Sequence, residues 1–191
     1  MKIGSLFSGY GGLDLAVSAV TGAEVAWHCE WEDAPAAILE KNFPDVPNYR
    51  DVSKVDWHKV EPVDILTGGF PCQDLSLAGK RAGLKDGTRS GLWSEFYKAI
   101  EVLRPRMVVI ENVRGLLSAT AHSDLEYCAW CMGNEPTEPP LRALGAVLGD
   151  LADIGYDARW ESVRAADAGA PHSRFRVFII AYPSDTKISG S

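Results

Sequence analysis

The sequence predicts an α/β fold, with a doubly wound and mostly parallel sheet that carries helices on both faces. Apolar runs of strand length alternate with segments of helical periodicity along the whole chain, which is typical of strands joined by covering helices. Glycine-rich or polar loops follow several of these runs, and ligands of open α/β sheets bind at that carboxyl edge. With 191 residues, of which 46% are hydrophobic, the chain is large enough for one domain with a buried core.

Each element is predicted from its local pattern. Short apolar runs predict strands, and apolar residues spaced three or four apart predict amphipathic helices. The predicted strands are residues 2–7, 23–29, 48–52, 63–67, 107–110, 157–164 and 176–182. The predicted helices are residues 11–20, 34–42, 92–103 and 141–154. Residues 120–140 lack periodicity and predict a surface excursion, so we expect one domain over residues 1–182 and a disordered polar tail at 183–191.

The charge balance limits the class of partner. Lys and Arg number 19 against 26 Asp and Glu, which gives a net charge of −7. Because nucleic-acid binders usually neutralise phosphates with basic residues, this balance argues against an autonomous nucleic-acid binder, although an acidic enzyme can carry a local basic channel. No signal peptide or long apolar span is visible, which predicts a cytoplasmic protein with reduced cysteines and no membrane partner.

A cysteine loop with the sequence GGFPCQ, residues 68–73, follows the predicted strand 63–67. Gly68 and Gly69 free the backbone after the strand, and Pro71 fixes its direction directly before Cys72. The thiol is therefore expected at the carboxyl edge of the sheet, where neighbours that favour the thiolate would make it a strong nucleophile. A half-buried structural cysteine in a turn is the alternative.

A second set of residues indicates a nucleoside-bearing cofactor. The turn FSGYGG, residues 7–12, joins a predicted strand to a helix whose N-terminus offers free N–H groups. Glu30 ends the next predicted strand, where an acidic residue usually binds ribose hydroxyls. Trp31 offers a flat surface for a purine, and Asp51 an acceptor for an adenine amino group. The turn lacks the full dinucleotide fingerprint, so a cofactor without a pyrophosphate fits better than NAD.

Two further groups of polar residues follow predicted strands. Glu111 and Asn112 come directly after the strand 107–110, where a buried carboxyl would suit general acid work; a helix N-terminal cap is the alternative. Arg174 and Arg176 open the last predicted strand, and strand alternation places them on one face, where they could meet an anion or a carbonyl oxygen. Exposed arginines without a function are the alternative.

Taken in order, these motifs resemble those of the C5 cytosine DNA methyltransferases. The motifs are FSGYGG at 7–12, EW at 30–31, PCQ at 71–73, ENV at 111–113 and RFR at 174–176. The resemblance implies the Rossmann-like fold of methyltransferases that use S-adenosylmethionine, with that molecule as the cofactor. The cofactor contacts that it implies are Phe7, Ser8, Gly9, Gly11, Gly12, Glu30, Trp31, Asp51, Val52, Gly69, Pro71 and Leu92.

The resemblance also implies chemistry on a cytosine of double-stranded DNA. The Cys72 thiolate would add to C6, Glu111 would bind the N3 edge, and Arg174 would stabilise O2. Asn112 would order the Pro-Cys loop, residues 73–90 would close over the base, and the base would have to be flipped out of the duplex. The catalytic residues that the resemblance implies are Cys72, Gln73, Glu111, Asn112, Arg174 and Arg176.

Two departures from the family pattern shape the expectation. His172 stands where the family usually has Gln, and family members continue past the last strand into a target-recognition domain and a returning segment. We therefore expect a catalytic half without its target-recognition domain: a subunit that works with a second chain carrying that domain, the product of a truncated gene, or a deliberately shortened chain. A companion restriction nuclease is left open.

Other interpretations remain. A tRNA cytosine methylase resembles the same motifs, thymidylate-forming enzymes also direct a Pro-Cys thiolate at a pyrimidine C6, and an inactive fragment that folds and binds cofactor is a non-enzyme alternative. Cys128 and Cys131, with His122 nearby, are candidate zinc ligands, but a zinc site usually needs a fourth ligand from a second pair. Core or loop cysteines are preferred, and no metal is predicted.

Overall fold

The computed structural model describes residues 1–70, 91–118 and 143–186, and in these ranges the chain forms an α/β sandwich. The strands are β1 Lys2–Leu6, β2 Glu24–Cys29, β3 Ile65–Gly68, β4 Met107–Val113, β5 Tyr156–Arg164 and β6 Phe175–Pro183. The helices are α1 Gly12–Thr21, α2 Asp33–Asn42, α3 Leu92–Leu103, α4 Gly115–Ser118 and α5 Ala143–Asp153.

The six strands form one sheet in the order β2-β1-β3-β4-β6-β5. The neighbours β2, β1, β3 and β4 pair in parallel, whereas β6 lies antiparallel between β4 and β5. The predicted mostly parallel sheet is therefore confirmed. Because β2, β1, β3 and β4 run the same way, the loops that leave them meet at one edge.

Strand alternation divides the core between the two faces of the sheet. On one face, Ile65 and Val109 pack with Val17 of α1. On the other face, Leu66 and Val108 belong to a larger cluster that includes Phe96 of α3 and Val147 of α5, among others. Helices thus cover both faces, as predicted for a doubly wound fold. Among the described residues, no helix combines the length and apolarity needed to cross a membrane.

The predicted strand at 48–52 is wrong. In its place, Asn48 makes a single parallel bridge to His28 of β2, and a 3-10 helix follows at Val52–Lys54. Asp51 begins this helix by accepting a hydrogen bond from the N–H of Ser53. The aspartate therefore favours a capped turn over continued pairing, which is a common role of this residue type.

The strand predicted at 107–110 continues to Val113, so Glu111 and Asn112 lie within β4 and not after it. They pair with Phe178 and Val177 of β6, and the alternative of a helix cap is wrong. The last strand also runs further than predicted, to Pro183, and Ser184 donates from its N–H to the carbonyl of Gly155 at 2.9 Å. The predicted tail thus begins inside the domain, and the whole excursion at 120–140 lies outside the described residues.

Candidate active site

Two adjoining cavities open at the carboxyl edge of the parallel strands. The Trp31 cavity has a volume of 450 Å³ and is lined by Phe7, Cys29, Glu30, Trp31, Glu32, Arg50, Asp51, Val52, Gly69 and Leu92. The Glu111 cavity has a volume of 440 Å³, and its lining includes Ser8, Gly9, Gly12, Gly69, Glu111 and Arg174. Phe7 and Gly69 line both cavities, so a ligand in one would lie beside a ligand in the other.

The turn between β1 and α1 forms part of both cavity walls. Phe7, Gly9 and Gly11 all have left-handed backbones, with φ values of 53°, 54° and 80°. The N–H of Phe7 donates to the carbonyl of Cys29 at 2.8 Å, which fixes the turn to the end of β2. Among the described residues, nothing lies within 4 Å of a Cβ placed at Gly9, so Gly9 is needed there for its backbone conformation, which costs other residues free energy.

Glu30 is held rigidly in the wall of the Trp31 cavity. It is only 7% exposed, its Oε2 accepts from the N–H of Gly9 at 2.8 Å, and its Oε1 accepts from the N–H of Glu32 at 2.8 Å. Both donors belong to the backbone, so the carboxylate cannot move without the turn. Each oxygen keeps a further lone pair for a ligand hydroxyl, as the predicted ribose role requires.

Asn48 supports Glu30, and the sequence reasoning missed it. Its Oδ1 accepts from the N–H groups of Glu30 at 2.9 Å and Arg50 at 3.0 Å, and its Nδ2 donates to the carbonyl of Glu30 at 3.3 Å. One side-chain amide therefore joins the end of β2 to the segment that leads to Asp51. Its position directly after Pro47, at the start of a segment predicted to be a strand, was the available signal.

The other residues predicted on the nucleoside side also line the Trp31 cavity. Trp31 is 61% exposed and Val52 is buried, which gives the cavity one accessible aromatic surface and one apolar wall. Hydrogen bonds from the side chains of Ser53 and Lys54 hold the pKa of Asp51 below its usual range. Asp51 is therefore an ionised acceptor at neutral pH.

Glu111 contacts or adjoins both predicted arginines, although Arg176 is not among the described residues that line the Glu111 cavity. Arg174 and Glu111 both line it, and the Nε of Arg176 forms an ion pair with Oε1 of Glu111 without the alignment of a hydrogen bond. A Cβ atom at Gly69 would lie 3.2 Å from Oε2 of Glu111. Because glycine has no Cβ, the Glu111 carboxylate fits at this position without a close contact.

Asn112 points to the opposite face of the sheet and supports the start of the cysteine loop. It is 3% exposed, its Nδ2 donates to the carbonyl of Phe70 at 2.9 Å, and its Oδ1 accepts from the N–H of Val113 at 2.8 Å. The Phe70 ring packs against Trp93 with centroids 5.0 Å apart. This arrangement fixes the residue that precedes Pro71, while Pro71, Cys72 and Gln73 themselves lie outside the described residues.

Not every predicted residue lines a cavity. Gly11 caps α1, and a Cβ there would lie 3.2 Å from Phe43 and 3.3 Å from Leu39, so this glycine allows close packing rather than ligand contact. His172 is exposed and belongs to neither cavity lining. Cys128, Cys131 and His122, the alternative zinc ligands, lie outside the described residues.

A buried polar cluster beneath the turn was not predicted. Asp14 of α1 accepts from Ser5 Oγ at 2.8 Å and Thr67 Oγ1 at 2.5 Å, and its Oδ2 lies 3.8 Å from Nε2 of His28. Burial raises the pKa of Asp14 and lowers that of His28 to about 4. His28 is therefore neutral at neutral pH, and the cluster braces α1 against three strands. An aspartate on the apolar face of the predicted helix was the signal.

Comparison with known proteins identifies the family. The model of the C-5 cytosine-specific DNA methylase family matches residues 1–190. The Type II methyltransferase M.NlaIV of Neisseria lactamica is 33% identical over 184 residues, which are 94% of this chain and 40% of that protein. The Type II methyltransferase M.AquIA of Picosynechococcus sp. is 33% identical over 188 residues, which are 94% of this chain and 71% of that protein.

Solved structures agree in fold. A mutant of DNMT2 from Spodoptera frugiperda superimposes with a TM-score of 0.72 at 18% identity, over 100% of this chain and 52% of that one. The Dnmt2 methyltransferase of S. pombe gives a TM-score of 0.68 at 16% identity, over 98% of this chain and 52% of that one. The resemblance drawn from the sequence motifs is confirmed, and the chain belongs to the C-5 cytosine-specific DNA methylase family.

Proposed function

We propose that this protein is the catalytic part of an enzyme that transfers a methyl group from S-adenosylmethionine to C5 of cytosine in DNA. The observation that carries the proposal is the junction of the two cavities at Phe7 and Gly69, because a methyl donor and an acceptor base must lie side by side. Family membership supports the reaction class. The activity itself is part of the proposal, since the chain spans only 40% of M.NlaIV.

The residues of the Trp31 cavity fit S-adenosylmethionine, which when bound would supply an electrophilic methyl group. Glu30, with one backbone donor on each oxygen, offers its remaining lone pairs to the two vicinal ribose hydroxyls. The exposed Trp31 ring suits stacking on adenine, and the ionised Asp51 suits its amino group. A volume of 450 Å³ lies in the usual range for a small-molecule site.

The Glu111 cavity and the cysteine loop would act on the base. The Cys72 thiolate forms a bond to C6, and the electron pair of the C5–C6 double bond moves towards C5, which becomes nucleophilic. Glu111 binds the N3 edge and Arg174 the O2 oxygen, so that both stabilise the added electron density. Once C5 carries the methyl group, a base removes the C5 proton, Cys72 departs as thiolate, and the double bond is restored. These contacts require a base outside the duplex stack.

The thiol of Cys29 also lines the Trp31 cavity, but its environment excludes this role. Burial raises its pKa to about 12, and its Sγ donates to the carbonyl of Arg50 at 3.3 Å. A buried thiol with this pKa is not a nucleophile at neutral pH. Cys29 is therefore a structural residue, and Cys72 remains the assigned nucleophile.

The proposal is tested by covalent trapping. The substrate is duplex DNA of mixed sequence in which 5-fluorocytosine replaces every cytosine, so that any recognition sequence is present. Fluorine replaces the C5 proton that the last step removes, and a base cannot abstract it, so an active enzyme stays bound to its DNA on a denaturing gel. We expect an adduct that requires S-adenosylmethionine, disappears in Cys72→Ser and persists in Cys131→Ser. The same reaction with RNA that contains 5-fluorocytidine tests the RNA alternative.

The outcomes separate the alternatives. An adduct with DNA from this chain alone supports the proposal in full. An adduct that forms only after a chain with a target-recognition domain is added supports a catalytic half. An adduct with RNA and not with DNA would mean that the substrate is RNA and not DNA. An adduct that survives in Cys72→Ser would overturn the mechanism.

A further inference from the structure

Asp51 has one oxygen left for a ligand, and a lysine holds it. Its Oδ1 accepts from the N–H of Ser53 at 3.1 Å and from the Oγ of Ser53 at 2.7 Å, which occupies both lone pairs of that oxygen. Its Oδ2 lies 3.0 Å from the Nζ of Lys54. An adenine amino group that approached Asp51 would therefore meet the oxygen that Lys54 holds.

The same ammonium group also lies over the ring of Trp31, which lines the cavity. The Nζ of Lys54 lies 5.9 Å from the centroid of the Trp31 ring, within the range of a cation–π interaction. The Lys54 side chain is 76% exposed, so it can leave this position without disturbing the core. One exposed cation thus contacts both groups that the purine end of the cofactor would need.

A second turn of the chain repeats this local structure away from the cavities. Asp56 accepts from the N–H of His58 at 3.2 Å and pairs with the Nζ of Lys59 at 2.8 Å. The backbone also matches, because Lys54 donates from its N–H to the carbonyl of Asp51 at 3.0 Å and Lys59 to that of Asp56 at 2.9 Å. Asp56 is not among the described residues that line either cavity, whereas Asp51 and Trp31, the two contacts of Lys54, both line the Trp31 cavity.

We propose that Lys54 competes with the purine end of the cofactor for Trp31 and Asp51, and that it thereby sets the affinity of the Trp31 cavity for adenine nucleosides. The inference rests on the function proposed above. Binding would displace the ammonium group into solvent, so part of the interaction free energy of the purine is spent on breaking two contacts of Lys54. A side chain without the charge would remove that cost.

The test is calorimetric titration with S-adenosylhomocysteine, which has no net charge at neutral pH. We expect Lys54→Met to bind about two- to five-fold more tightly than the wild type, as the loss of an exposed ion pair and an exposed cation–π contact implies. Lys59→Met removes the same charge from the matched turn and is expected to bind like the wild type. Lys54→Arg keeps the charge and should not tighten binding.

Each result decides the inference. If Lys54→Met binds with unchanged or weaker affinity while the wild type binds, the lysine is not a competitor, and the function proposed above is unaffected. If Lys59→Met tightens binding equally, the effect is one of overall charge and the inference is wrong. If neither the wild type nor Lys54→Met binds, both the inference and the cofactor assignment fail.

Discussion

The two carboxylates that line the adjoining cavities, Glu30 and Glu111, are held in different ways. Glu30 is nearly buried and accepts from two backbone N–H groups, so the fold itself fixes its position. The Glu111 side chain is 28% exposed and, among the described residues, is paired with another side chain, that of Arg176, and not with the backbone. Under the proposed function, Glu30 is therefore preformed for binding, whereas Glu111 would exchange Arg176 for an arriving base.

The largest expected effect comes from Glu30→Gln. Both oxygens of Glu30 accept backbone N–H bonds, so the amide nitrogen of glutamine must face one of these donors and lose that bond. A hydrogen bond to a charged group contributes about 1.5–3 kcal/mol, and we expect the affinity for S-adenosylhomocysteine to fall about 10- to 100-fold. Calorimetric titration with S-adenosylhomocysteine measures this affinity.

Glu111→Gln is the matched variant, which tests whether Glu30 and Glu111 have separate roles. It makes the same chemical change in the other cavity and should leave the affinity for S-adenosylhomocysteine close to that of the wild type, while the 5-fluorocytosine adduct is lost. Equal losses of affinity in the two variants would show that the carboxylates do not have separate roles.

The next prediction concerns two side-chain amides: Asn112, which supports the start of the cysteine loop, and Asn48, which supports the end of β2. Asn112→Ala leaves the carbonyl of Phe70 without its donor in a buried site, and an unsatisfied buried polar group costs about 1–3 kcal/mol. We expect the free energy of unfolding to fall by about 2 kcal/mol in chemical denaturation, with cofactor affinity retained. Asn48→Ala should instead weaken cofactor binding, because Asn48 holds the end of β2 at Glu30. The reverse pattern would contradict the assignment of Asn48 to the support of Glu30 and of Asn112 to the cysteine loop.

The sequence predicted the residues of both cavities better than it predicted how they are held. The position of Glu30 follows from a local pattern, a strand that ends in an acidic residue. The ion pair of Glu111 with Arg176 and the contacts of Asn48 join segments far apart in the chain, and no local periodicity reports them. The same reason explains why β4 was predicted too short: its polar end becomes a strand only because β6 pairs with it.

The smallest effect is expected for Gly69→Ala, which tests whether the Glu111 carboxylate is adjustable while Glu30 is fixed. Gly69 has no positive φ, so alanine adds no backbone strain. Among the described residues its Cβ would meet only Glu111, with Oε2 at 3.2 Å and the carbonyl oxygen at 3.5 Å. If the Glu111 carboxylate is adjustable, it will move by a few tenths of an ångström. We expect adduct formation to slow by roughly several-fold, since misplacement by a full ångström costs about 100-fold.

Gly69 lines both cavities, and the division of the effect between them is therefore informative. Because the added methyl group would contact Glu111 alone among the described residues, cofactor affinity should stay within about two-fold of the wild-type value. A change of that size corresponds to a smaller free energy than that of a typical hydrogen bond. A loss of affinity as large as the loss of rate would mean that a displacement at Glu111 reaches the nucleoside end. The wall between the cavities would then be a shared, deformable element, and the distinction between a fixed and an exchangeable carboxylate would fail.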